Sequence, residues 1–188
     1  MLVLGTVGSQ NTKSFASSFD SIATLSGTGS SDSITFSSIP DGYTHLQIRG
    51  IATVNYASVD FGTLGIRFNG DTGTNYSRHI MRGFYSGATA YSQGGNVVSS
   101  TYNEAGMAYL TVGSVYTGVS IIEILDYANT NKNKTVRGLS GSYWTTSGAV
   151  QLGSGVWRNT AAVTSVTIFG SNGNFGTNST FALYGIKA

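Results

Sequence analysis

VSIIEILDYANTNKNKTVRGLSG, residues 119–141, decides the fold. Its first part places apolar residues on both parities of an extended chain, Ile122 and Ile124 on one and Ile121 and Leu125 on the other. That is the pattern of a central strand with both faces apolar, unlike the alternation of a half-solvated strand. "KTVRGLSG" reads as its antiparallel partner, and "NTNKN" (129–133) as the loop between them, where Asn tolerates the left-handed backbone of a hairpin. Lys132, Lys134 and Arg137 crowd against this loop and raise the question of a phosphate grip. A solvated hairpin tip attracts cations without any ligand, and that is the favoured reading.

Outward from this hairpin, the chain is a succession of short apolar runs punctuated by Gly, Ser, Asn and Asp. "FDSIATL" (19–25), "SITF" (33–36) and "YTHLQIRGIAT" (43–53) come first, then "FGTLGIRF" (61–68) and "YSRHIMRGFY" (76–85). After a less regular stretch over 86–104 come runs at 105–115, 149–157, 163–170 and 180–188. In the third run Leu46, Ile48 and Gly50 share one face while His45, Gln47 and Arg49 share the other. With 26 Gly, 1 Pro and abundant Tyr, Phe, Thr, Val and Ile in 188 residues, the expectation is an all-β fold. Turn signals at about 8–12 residue spacing point to a single antiparallel β-sandwich, jelly-roll-like, of eight to ten strands. Residues 19–188 form this domain, and residues 1–18, apolar only over Met1–Leu4, read as an extended N-terminal arm.

Only 10% of the residues are charged, against a typical value of about 25%. Sheet edges are usually guarded by Lys, Pro or inward charges, and a chain with few of these is expected to be covered by neighbours. A closed homo-oligomer, a homotrimer first, follows as the expectation. The net charge of +2 is spread along the chain, without the dense Lys/Arg stripe that nucleic-acid binding requires. No apolar run approaches the length of about 18 residues that a membrane helix needs, and "MLVLGTVGSQ" lacks the make-up of a signal peptide. The expectation is a protein made and assembled in the cytoplasm of its host, binding neither nucleic acid nor membrane.

Catalytic and metal chemistry find little support. With no cysteine and two histidines on different runs, no zinc-ligand spacing exists. His45 and His79 read as partly exposed strand residues. Glu123 stands alone in the most apolar run and is expected to pair with an Arg or cap a backbone group. Asn69, Asp71 and Asn75 in "FNGDTGTNY" offer oxygens, but without the alternating acids and closing Glu of a calcium loop. No serine sits in a nucleophile elbow. The reading is no enzyme, no cofactor and no metal. Tyr43, Tyr56, Tyr85, Tyr91, Tyr102, Tyr143, Trp144 and Trp157 are candidates for sugar stacking or for anchoring a protein interface.

The ordered segments "IPDGYTHLQIRG" (39–50), "RFNGDTGTNYSRH" (67–79), "IIEILDYANTNKNKTVRGLSG" (121–141), "SGVWRNTAAVTSVTIF" (154–169) and "FALYGIKA" (181–188) together resemble a family of small virion structural proteins of tailed bacteriophages. The resemblance implies a virion component: first, a capsid decoration (cement) protein bound to the major capsid protein; alternatively, a tail or fibre module that binds a host surface glycan. A single compact domain without coiled-coil heptads or a long attachment region favours decoration. The expected interface residues are Leu2, Val3 and Leu4 of the arm and Asn131, Lys132, Asn133 and Lys134 of the hairpin loop.

Overall fold

The computed structural model describes residues 18–55, 61–84, 90–109, 117–144, 147–171 and 173–187. The expected arm, with Leu2, Val3 and Leu4, lies outside the described residues, as do Tyr56 and Tyr85. Every element among the described residues is a strand: β1 (Phe19–Ser26), β2 (Ser33–Phe36), β3 (His45–Ala52), β4 (Val54–Asn55), β5 (Phe61–Phe68), β6 (Tyr76–Phe84), β7 (Ala90–Ser100), β8 (Asn103–Tyr109), β9 (Gly118–Leu125), β10 (Lys134–Trp144), β11 (Ser147–Trp157), β12 (Val166–Gly170), β13 (Asn174–Phe175) and β14 (Thr180–Ile186). They form an antiparallel β-sandwich. An eight-stranded sheet runs β1-β14-β3-β9-β10-β11-β6-β7, a four-stranded sheet runs β2-β12-β5-β8, and β13 pairs with β4 in a small ribbon.

The strand count exceeds the expected eight to ten. The ribbon strands are two residues each, too short to carry a period, and β7 and β8 arise largely from the stretch whose pattern is irregular. The eight-to-four division is also more unequal than the two matched sheets of an eight-stranded jelly roll.

The core follows from the alternation. Leu46 and Ile48 of β3, Ile122 and Ile124 of β9, Val136 of β10 and Phe181 and Leu183 of β14 point inward from the large sheet. They meet Ile34 and Phe36 of β2, Leu64, Ile66 and Phe68 of β5 and Val166 and Ile168 of β12. Trp157 closes one end, 1% exposed, with its ring 5.5 Å from Phe68 and 6.4 Å from Tyr76. Its indole N–H donates to the Asp71 carboxylate at 2.7 Å. That bond, with those from Asn75 and Gly73, holds the Asp71 carboxyl below its ordinary range.

Under β10 and β11 the inner layer changes character, because the side chains there are Ser140, Ser142, Gln151, Gly153 and Gly155. These small residues let β8 lie directly on the large sheet. A Cβ at Gly155 would stand 2.1 Å from Asn103 Oδ1 and 2.3 Å from the Ser77 carbonyl, so only glycine admits this approach.

The central hairpin forms as expected, with Ile121 opposite Leu139 and Glu123 opposite Arg137. Its loop opens earlier than "NTNKN", because β9 ends at Leu125 and the left-handed residue is Asp126, at φ 52°, not an asparagine. His45 Nδ1 accepts the Asp126 N–H at 3.0 Å, and Tyr127 then turns into the core, its hydroxyl donating to the Pro40 carbonyl.

Trp157→Ala is expected to lower unfolding stability by about 3–5 kcal/mol. Tyr143→Ala, at a site 57% exposed, should change it by less than about 0.5 kcal/mol in the single chain. Guanidinium denaturation compares the two, and equal small effects would contradict the assigned core.

Candidate functional site

Three rows of outward side chains cross the large sheet from β3 through β9, β10 and β11 to β6. The strand registers align Ile51, Val119, Gly141, Val150 and Gly83 in the first, and Arg49, Ile121, Leu139, Leu152 and Met81 in the second. Gln47, Glu123, Arg137, Ser154 and His79 make the third. Apart from Arg49 the first two rows are apolar, and their seven large hydrophobic side chains are each between 42% and 60% exposed. Two shallow troughs of about 560 Å³ and 680 Å³ open along them and share Val119, Gly141 and Val150.

The small sheet behaves differently. Its outer face carries Thr35 bonded to Thr167 at 2.9 Å and Arg67 lying over the Phe169 ring at 4.4 Å, the polar-out arrangement of a sheet that faces water. The apolar outward residues therefore belong to the large sheet in particular. Single exposed hydrophobics need no explanation, but a contiguous band of them marks an interaction surface.

The third row is a charged strip beside this band. Arg137 Nε donates to Glu123 at 2.8 Å, Gln47 reaches the other Glu123 oxygen at 3.5 Å, and Arg49 Nε donates to Gln47 at 2.8 Å. The Arg49 guanidinium also lies near the rings of Phe19 and Tyr184. Glu123 thus pairs with an Arg, as the sequence suggested. His79 is exposed at the end of the row, and His45 lies at the hairpin corner beside Asp126, far from a third ligand. No group of three metal-ligating side chains exists among the described residues. Both Asp71 oxygens are engaged by N–H donors, from Gly73 on one and from Asn75 and Trp157 on the other.

The three cations of the hairpin are each committed internally. Lys132 pairs with Asp126 at 2.9 Å, and Arg137 with Glu123. Lys134 was expected at an interface, but it is 0% exposed. Its ammonium donates to the carbonyls of Lys132 at 2.7 Å, Thr160 at 3.1 Å and Asn129, and desolvation lowers its pKa. It staples the loop from inside, because a long side chain beginning at the first strand residue can fold back under its own turn. Asn131, Lys132 and Asn133 remain exposed at the tip.

A second polar cluster, inside the sandwich, is not legible in the sequence. Glu104 of β8 accepts from Arg78 at 3.0 Å and Arg82 at 2.7 Å, and Arg82 Nε donates to Gln151 at 2.9 Å. Burial pushes the Glu104 carboxyl up against the opposing pull of Arg82 and Arg78. The i, i+4 spacing of Arg78 and Arg82 on β6 was the available signal, since it puts both on one face of a strand. Of the aromatic candidates, Trp157 is core and Tyr43 packs against it. Tyr102 stacks edge-on to Phe169 and accepts from Arg78, Tyr143 is exposed, and the side chains of Tyr91 and Trp144 lie outside the described ones. Comparison with family models, curated proteins and solved structures gives no match.

The two carboxylate clusters should respond differently to neutralisation. Glu104→Gln leaves two guanidinium groups without a counter-charge inside the sandwich and is expected to cost about 3 kcal/mol. Glu123→Gln, on the open face, should cost less than about 1 kcal/mol. Urea denaturation monitored by far-ultraviolet circular dichroism measures both.

Proposed function

We propose that this chain is a structural component of a tailed-phage virion, of the shell-decorating kind, and that it works by docking the outer face of its eight-stranded sheet against another virion subunit. One observation carries the reading: a central sheet apolar on both faces, of which the described residues cover one. The family resemblance of the five ordered segments supplies the virion context. The ionisable groups described above support the same reading, since Glu104, Asp71, Asp126 and Lys134 all hold the fold together. Contact with the major capsid protein would add the exposed loop tip, Asn131–Asn133, at the opposite end of β9 and β10 from Gly141.

The alternative, a receptor-binding tail module, wants a platform of exposed aromatic rings for a glycan. Trp157, one of the aromatic candidates for such a platform, packs into the core instead. Quantitative mass spectrometry of purified particles of the parent phage tests the proposal. Hundreds of copies per particle are expected for a shell protein; a few copies would move it to the tail, and none would overturn the virion reading.

A further inference from the structure

Gly83 and Gly141 have no explanation among the described residues. Both sit inside long strands, where glycine weakens a sheet, and neither has a positive φ. A Cβ built at Gly83 meets nothing within 4 Å among the described residues, and one at Gly141 meets only the Ala149 carbonyl at 3.8 Å. Neither turn geometry nor internal packing asks for glycine, and an unforced glycine in a strand marks the close approach of another backbone or ligand.

These glycines alternate with valines. Across neighbouring strands the first row reads Val119, Gly141, Val150, Gly83, so projections and hollows repeat at the strand spacing of roughly 4.8 Å. Such a row is complementary to itself when reversed. Turned about an axis that lies between β10 and β11 and runs along the strands, Val150 falls on Gly141 of the copy and Val119 on its Gly83. The same operation sets Leu139 against Leu152, Ile121 against Met81, and the Glu123 carboxylate against His79.

We infer that the outer face of the large sheet is where a second copy of this chain packs, sheet on sheet, about that two-fold axis. The inference rests on reading this face as an assembly contact and names the partner; it does not depend on the virion assignment. Area agrees with the geometry. Six strands, β3-β9-β10-β11-β6-β7, overlap under this operation; at about eight residues each they present roughly 29 Å by 27 Å at ordinary strand spacing and rise, close to the ~800 Å² per partner of a standard stable interface. A two-fold pair is a closed homo-oligomer, with an isologous contact where a trimer would need two different patches.

Sedimentation equilibrium of the purified full-length chain tests this, with two variants. Gly83→Val/Gly141→Val fills the hollows with residues that strands favour, and Val150→Lys puts a charge at a site 60% exposed in the single chain. Circular dichroism confirms that each variant keeps its strands. A wild-type dimer is expected, with the dissociation constant raised more than about a hundredfold in both folded variants. A monomer at 100 µM, a three-fold assembly, or a dimer that both variants leave intact overturns the inference. The failures separate: a monomer present in hundreds of copies per virion sinks the pairing alone, and a dimer absent from virions sinks only the virion assignment.

Discussion

A β-sheet has two faces, and the sequence of β9 makes both apolar while the described residues supply a cover for only one. Ile122 and Ile124 close onto the small sheet, whereas Val119 and Ile121 look outward beside Leu139 and Leu152. A half-solvated strand relieves this conflict by alternating apolar and polar residues, as the small sheet does with Thr35 and Thr167. β9, β10 and β11 do so only in part, through the charged row at Glu123 and Arg137. Association with a partner, as proposed, would remove the remaining apolar area from water, with the hydrophobic effect as its drive and no specific polar contact required.

The same imbalance shapes the interior. Four strands cannot cover eight at full core thickness, so the sandwich is apolar under β3, β9 and β14 and becomes thin and polar under β10, β11 and β6. There β8 rests on glycines, and the buried Arg78–Glu104–Arg82 cluster, with Gln151, fills the space that a hydrophobic layer would otherwise occupy. Because such a cluster is costly to leave half-paired, it fixes how β8 sits against β6 and β11. It thereby stiffens the part of the large sheet whose other side carries Val150, Leu152 and Met81. A rigid sheet favours face-to-face packing, since a face that must reorganise loses contact energy to ordering.

Much of this was legible in the residues. The runs at 19–25, 33–36 and 61–68 coincide with β1, β2 and β5 to within a residue, because each has a clean period of two and a turn signal at both ends. Glu123 announced its Arg partner through its isolation in an apolar strand. Lys134 misled, because a lysine beside an Asn-rich turn looks solvated, and only the folded path of residues 126–133 beside Thr160 reveals three carbonyls converging on it. The Glu104 cluster joins residues 22 to 69 positions apart on β6, β8 and β11, a distance over which no local pattern speaks. The exposed apolar face was half visible. The double apolar parity of 119–125 was plain, but it reads as a strand buried on both sides, and only the strand order shows that nothing in the described chain lies over one of them.

Hydroxyl-radical footprinting read by mass spectrometry at Met81 and Leu139 addresses the covered-face claim most directly, by comparing dilute chain with the assembled form, whether concentrated protein or intact particles. Both side chains are more than half exposed in the single chain. A covered face predicts that their oxidation falls at least several-fold on assembly while that of Tyr102, on the other side of the sandwich, holds steady. Unchanged oxidation at Met81 and Leu139 in the assembled form would contradict it.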